Sequence, residues 1–244
     1  MDEVALHPNF RSESASRISL TAGELHVWAV PLCGDNERYA SLLSAAEQDR
    51  ASRFRVADHR RRYAISHGAL RVILAGYLLC DPLTLEFSTS PRGKPSLLQP
   101  LGWHFNLSHS AQLALVAVGH SELGVDLEKR RHLESLKQIA SRHFSTVEVE
   151  ALRAVPAAEQ LAAFYRCWTR KEAYVKALGS GLSSALDVFD VSIDADPRFL
   201  GFRSGDDAPE DWSLFDVSPG PDYTGALAVR ARGMSVRTFA LLDG

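Results

Sequence analysis

The stretch WTRKEAYVKALGSG, Trp168 to Gly181, reads as the last turns of an amphipathic helix, with Leu161, Phe164, Tyr165, Trp168 and Val175 on one stripe. Glu172 falls on that same stripe. A carboxylate at an apolar position costs free energy unless a cation or metal meets it. Lys176 lies four residues on and Lys171 is adjacent, so two ammonium groups are expected beside it at the helix end. In the simpler reading Glu172 and Lys176 form an i,i+4 pair, contributing about 0.3–0.5 kcal/mol. In the other, Glu172 serves a site outside its own helix.

The rest of the chain sets limits on that site. At 244 residues, 45% hydrophobic and with a formal charge of -3, the chain can bury one broad core or two small ones and is not disordered. No apolar run approaches the roughly 20 residues of a membrane span, and MDEVALHPNF lacks the pattern of a signal peptide, so the expected compartment is the cytoplasm. Cys33, Cys80 and Cys167 are far apart in apolar surroundings and read as packing residues, with neither a disulfide framework nor a zinc site. Charge is unevenly spread: Arg50, Arg53, Arg55, Arg60, Arg61, Arg62 and Arg71 accompany a single acid, Asp58, between residues 50 and 71. A compact phosphate ligand fits this cluster better than nucleic acid, because no basic stripe interleaved with aromatics continues elsewhere. A solvated helix face is the alternative for any one of these arginines.

The periodicity predicts an α+β fold. Residues 1–24 read as a loose polar leader, followed by a strand at Leu25–Val30 and helices at 37–54 and 58–79. A strand at 85–88 leads to a tight turn in which Gly93 and Pro95 bracket Lys94. Strands at Trp103–Leu107 and Leu113–Val118 are expected to join around Ser108-His109-Ser110. A strand at 124–129 then precedes helices at 133–154 and 157–178, and strands at 188–193, 212–217, 224–230 and 235–241. Gly, Asp, Pro and Ser between Gly201 and Gly220 predict a mobile loop. Residues 25–120 and 121–244 each run strand, helices, strands, which suggests two similar α/β halves packed face to face.

In GVDLE, residues 124–128, the two-residue period of a strand sends Asp126 and Glu128 out of one face. Either that face is solvated or it holds a divalent cation, since Mg²⁺ takes one or two protein carboxylates and completes its octahedron with water and phosphate oxygens. Glu172 would add a third carboxylate. Lys94, Ser108 and His109 read singly as turn or surface residues. With the arginines, they are the donors that a pyrophosphate and a further phosphate monoester require.

FNLSHS (105–110), GVDLE (124–128) and WTRKEAYVKALGSGL (168–182) resemble the successive signatures of the 4'-phosphopantetheinyl transferases of the larger, Sfp-type class. RGKP (92–95) and RFRVADHRRRY (53–63) also match, and the resemblance spans about residues 25 to 195. It implies two α/β halves related by a pseudo-twofold axis, with coenzyme A in the cleft between them. The expected reaction moves the phosphopantetheine arm of coenzyme A to a serine of an acyl, peptidyl or aryl carrier protein and leaves adenosine 3',5'-bisphosphate. Carried over position by position, Asp126, Glu128 and Glu172 would bind Mg²⁺, and Lys176 would contact the pyrophosphate. Ser108, His109 and Lys94 would likewise hold phosphate, with Pro95 beside them in the coenzyme site and Arg50, Arg53 and Arg62 in the region that takes the 3'-phosphate. Where relatives place basic residues slightly earlier, this chain has Glu47.

Attack of a serine hydroxyl on the β-phosphorus needs charge neutralised on the leaving phosphate and a base for the serine proton. Glu172 and a water held by Asp126 are the two candidates for the base. An exposed apolar patch with basic neighbours is expected for carrier docking between Lys129 and Phe144, from Leu133, Leu136 and Ile139 among Arg130, Arg131, Lys137, Arg142 and His143. An ordinary amphipathic surface helix is the alternative. A monomer without nucleic-acid or membrane partners is expected. The rival functions are a coenzyme A or carrier-binding module without chemistry, and a Mg²⁺-dependent phosphohydrolase.

Overall fold

Alternation along the strands decides which face meets which layer. The computed structural model describes residues 5–16, 18–33, 36–99, 102–179 and 185–241. Residues 1–4 and 17 of the expected leader and 180–182 of the last motif lie outside them. In chain order the elements are β1 (Arg11–Glu13), β2 (Glu24–Pro31), α1 (Asn36–Ala40), α2 (Ala45–Ser52), α3 (Ala57–Leu78), β3 (Phe87–Thr89), β4 (Pro95–Leu97), β5 (His104–Ser110) and β6 (Leu113–Gly119). There follow β7 (Leu123–Lys129), α4 (Leu136–His143), α5 (Thr146–Ala154), α6 (Gln160–Leu178), β8 (Phe189–Val191), β9 (Phe199–Phe202), β10 (Ser213–Asp216), β11 (Tyr223–Val229) and β12 (Ser235–Leu241).

Five strands form one sheet in the order β1-β12-β2-β6-β5, three form a second as β10-β11-β7, and β3–β4 and β8–β9 are separate hairpins. Trp28 and Val30 of β2 and Val116 and Val118 of β6 face α3 in one core. Val27, Ala29, Leu115 and Ala117, one residue out of phase, meet Val125, Leu127, Leu227 and Val229 of the second sheet. The far side of that sheet, through Ala226 and Ala228, packs on α6. The layers therefore run α3, five-stranded sheet, three-stranded sheet, α6, an α+β arrangement. No described helix is long and apolar enough to cross a membrane.

Several expectations are corrected. The helix expected at 37–54 is two, α1 and α2, and that at 133–154 is two, α4 and α5. Both breaks have one cause, a Ser-x-x-Glu capping box that starts a new helix. Ser44 with Glu47 opens α2, and Ser145 with Glu148 opens α5. The polar leader is not loose in its described part: β1 pairs in parallel with β12, and Phe10 and Ala15 are buried. Ser108-His109-Ser110 is no turn but the end of β5, and the reversal falls on Ala111, at φ 52. Within the loop expected at 201–220, the strand expected at 212–217 is found as β10, and Trp212 is buried. Cys167 is buried as expected, but Cys33 is half-buried and Cys80 exposed.

Each capping glutamate also reaches a cation on the following long helix. Glu47 meets Arg71 of α3 at 2.8 Å, and Glu148 meets Lys171 of α6 at 2.8 Å. Arg71 donates to Pro82 O and Leu85 O and lies over the Phe87 ring; Lys171 donates to Leu186 O and Phe189 O and lies over the Phe189 ring. Serine, glutamate, cation and phenylalanine thus recur 100 to 102 residues apart. This repeated device relates the two halves where sequence identity does not. It also explains Glu47, whose carboxylate is committed to helix capping and Arg71.

Candidate active site

Gly124 brings α6 onto β7. A Cβ at residue 124 would stand 2.2 Å from both Ala173 O and Ala177 N, so the helix backbone occupies the space a side chain needs. Leu123, Val125 and Leu127 point into the core between the sheets, which turns Asp126 and Glu128 toward α6. There Glu172 is 6% exposed and Asp126 4%.

Lys176 Nζ donates to Asp126 Oδ1 at 2.6 Å and to Ser108 Oγ at 2.8 Å. The hydroxyl of Ser108 in turn donates to Asp126 Oδ1 at 3.0 Å and accepts from Leu127 N at 3.2 Å. Glu128 Oε2 accepts from Ser110 Oγ at 2.9 Å. Asp126 Oδ2 is buried with no partner. Burial raises the Glu172 pKa to about 7, assisted by Asp126 and Glu128 and opposed by Lys176. Glu128 is raised by burial and by Asp126. Three carboxylates therefore share one poorly hydrated space with one ammonium.

The i,i+4 pair is not what Lys176 makes, since its ammonium goes to Asp126 on β7. Lys171, expected beside Glu172, points the opposite way to Glu148, and both are fully buried. Adjacent helical residues lie about 100° apart, so one faces the cleft and the other the core. No three of the described His, Cys, Asp and Glu side chains are arranged to hold a metal ion by themselves. Asp126, Glu128 and Glu172 are the available oxygen donors, and a cation there would take further ligands from phosphate or water.

These groups line a cavity of about 420 Å³ that follows α6 from Trp168 to Gly179 and is closed at one end by Arg92–Pro95. His109 lines it and also a second cavity of about 480 Å³, with His59, Arg62, Lys129 and Arg131. Partial desolvation, then Lys176, Arg62 and His59, hold the His109 pKa below its ordinary value. A carboxylate chamber and a cationic chamber thus meet at one imidazole.

The arginines part company. Arg62 lines the cationic cavity, pairs with Asp58 and leaves its buried Nε without a partner. Arg50 is exposed and lies over the Tyr63 ring, while Arg53 is exposed and paired with Asp49 at 2.5 Å. Lys94 and Pro95 line the first cavity, but the Lys94 ammonium is bonded to the carbonyls of Leu123 and Ala177. Leu133, Leu136 and Ile139 do not form the expected exposed patch; they pack half-buried on the second core and leave Arg131, Lys137 and Arg142 exposed. Sequence reasoning quoted His59, Asn106 and Ser110 only inside motifs and gave Lys129 and Arg131 to docking, so none of the five was assigned to the site. The signal for Asn106 and Ser110 was present, because with Ser108 they alternate with apolar Phe105 and Leu107.

Comparison with known proteins bears on this geometry. The 4'-phosphopantetheinyl transferase superfamily matches residues 122–228, and the 4'-phosphopantetheinyl transferase N-terminal family matches residues 28–121. The 4'-phosphopantetheinyl transferase HetI of Nostoc is 37% identical over 88% of this chain and 92% of its own length. The 4'-phosphopantetheinyl transferase Sfp of Bacillus subtilis is 30% identical over 76% of this chain and 82% of its own. Among solved structures, the holo-[acyl-carrier-protein] synthase of Thermotoga maritima aligns with 46% of this chain and 63% of that chain at 17% identity, with a TM-score of 0.34. Family matches on both halves and a relative spanning nearly the whole length place the chain among the 4'-phosphopantetheinyl transferases, in their Sfp-like class, as an enzyme that transfers phosphopantetheine to carrier proteins.

Proposed function

We propose that the transfer uses coenzyme A as donor, depends on Mg²⁺ and releases adenosine 3',5'-bisphosphate. The observation that carries this reading is the junction at His109 of a cationic cavity with a chamber of three carboxylates and Lys176. The two chambers match the two anionic parts of the donor, a 3'-phosphate and a pyrophosphate. Arg62, with His59, Lys129 and Arg131 around it, faces the 3'-phosphate; Lys176, Ser108 and His109 face the pyrophosphate.

Asp126, Glu128 and Glu172 would hold Mg²⁺. The donor set fits, since Asp126 Oδ2 is buried and unpartnered and Glu172 is raised by burial and then by Asp126 and Glu128. When bound, the ion neutralises charge on the pyrophosphate oxygens. The serine oxygen of the carrier bonds to the β-phosphorus as the bridging oxygen departs with the bisphosphate. Lys176 supports the charge that develops there. Glu172, at the cleft wall, takes the serine proton directly or through water. Both walls of the cleft, β7 and α6 on one side and β5 with the Arg92–Pro95 turn on the other, belong to one chain, which supports a monomer as the active unit, with residues 25–120 and 121–244 as its halves.

The test is to incubate the chain with coenzyme A, Mg²⁺ and several apo carrier proteins and weigh the carriers. A gain of one phosphopantetheine unit, lost with EDTA and with Asp126→Ala, is expected. Coenzyme A cleavage without carrier gain would favour a phosphohydrolase, and binding without either product would favour a carrier-binding module.

A further inference from the structure

One edge of β7 is hydrogen-bonded to β11; the other meets side chains from the N-terminal half. Asn106 Oδ1 accepts from Val125 N at 2.9 Å, Ser108 Oγ from Leu127 N at 3.2 Å and Ser110 Oγ from Lys129 N at 3.1 Å. Lys94 adds a rung at the opposite end, with its ammonium donating to Leu123 O at 3.1 Å. It also reaches the backbone of α6, donating to Ala177 O, whereas Ser108 meets α6 through the Lys176 side chain.

The two carbonyls belong to the two elements that carry the carboxylates. Leu123 opens β7, three residues before Asp126, and Ala177 is in the last turn of α6, next to Lys176. The last carbonyls of a helix lack donors within it, and a cation there also meets the negative end of the helix dipole. The Lys94 stem is held as well. A Cβ on Gly179 would stand 3.0 Å from Lys94 Cδ, and Gly179 takes φ +63 in the left-handed cap of α6. Two of the three N–H groups of the ammonium are committed to backbone.

We propose that Lys94 is a positioning residue, which bridges the start of β7 to the last turn of α6 and so sets the separation of Glu172 from Asp126 and Glu128. The inference rests on those carboxylates being the centre of transfer. A phosphate-binding lysine would act on donor affinity. A bridging lysine acts on turnover, because it moves groups that act on whatever donor is bound.

The test uses the full chain with an apo carrier, and coenzyme A or 3'-dephospho-coenzyme A as donor. Lys94→Met keeps the stem against Gly179 and removes the ammonium. It should lower kcat about 10–100-fold, the scale of a displacement of about 1 Å between reacting groups, with KM for coenzyme A within about twofold. The factor should be the same for both donors, and amides 177–179 should exchange with solvent faster than those of α3. Lys94→Arg, which restores donors, should recover most of kcat. A KM raised tenfold with kcat kept would make Lys94 a substrate contact and overturn the proposal, as would unchanged kinetics. If Lys94→Met does not fold, Lys94→Gln gives the same comparison. Asp126→Ala separates the two readings: if it stays active the carboxylate centre itself is wrong, whereas an inactive Asp126→Ala beside a normal Lys94→Met removes only the bridge.

Discussion

Arg62 divides one guanidinium between an ion pair and a buried Nε that has no partner. Asp58 takes part of its charge, with Arg61 competing for the same carboxylate at 2.6 Å, and the buried Nε is left over. A hydrogen bond to a charged group is worth about 1.5–3 kcal/mol, so Arg62→Ala should raise KM for coenzyme A about tenfold or more. KM for 3'-dephospho-coenzyme A should stay within about twofold by the same estimate. Equal losses in steady-state kinetics for both donors would remove Arg62 from the 3'-phosphate. At this scale the sequence was legible where chemistry follows local period: Asp126 and Glu128 two apart on a strand, and Glu172 on an apolar stripe. It was illegible where the partner is remote. Lys171 sits beside Glu172 in sequence, yet its partner Glu148 is 23 residues back, and no local spacing points to it.

Among elements, the contact of α6 with β7 controls the site, and Gly124 controls the contact. Gly124→Ala sets a methyl 2.2 Å from helix backbone, which cannot step aside as a side chain can. Overpacking of this kind costs about 1–3 kcal/mol, and each kcal/mol shifts Tm by about 2–4 °C in a chain of this size. Thermal unfolding should show that drop, and kcat should fall more than tenfold because α6 carries Glu172 and Lys176. Gly201→Ala, where nothing lies within 4 Å, is the control and should change neither. Long helices with an unbroken stripe were read correctly from sequence, as α6 and α3 show. The breaks at Ser44 and Ser145 were not, since each Ser-x-x-Glu box lies inside an apolar pattern that continues across it. The expected docking patch failed for the same kind of reason: Leu133, Leu136 and Ile139 show that an apolar stripe does not say which core will claim it.

For the whole molecule, burial holds two imidazoles, His26 and His67, at about 4. His26 is fully buried, with Nδ1 at 2.6 Å from the Tyr77 hydroxyl, which also accepts from Trp28 Nε1. Unfolded histidine titrates near 6.5, so below that pH the unfolded chain takes up protons the folded one refuses. Stability from this source is complete above about pH 6.5 and is lost as pH falls toward 4. Glu172 and Glu128 have raised values and act in the opposite sense, so the informative quantity is a difference. Between pH 6.5 and 4, urea unfolding of His26→Gln should show a pH slope about 1.4 kcal/mol per unit shallower than the wild type, the value of one proton. Identical slopes would mean that His26 charges without cost. The order of elements suggests a duplication, and only in three dimensions do Glu47–Arg71 and Glu148–Lys171 appear as one device used twice.

The sheet order β1-β12-β2 has a consequence for the timing of synthesis. The strand that lies between β1 and β2 is the last of the described strands to leave the ribosome, some two hundred residues after both its neighbours. Until it arrives, β2 offers a bare edge, and β1, whose described pairing is with β12, has nothing to bind. The N-terminal sheet therefore waits for residues 235–241 before it can close. A ribosome that stops before residue 235 leaves a carboxylate cleft whose supporting sheet ends at the bare edge of β2, a nascent chain for chaperones and proteases to recognise.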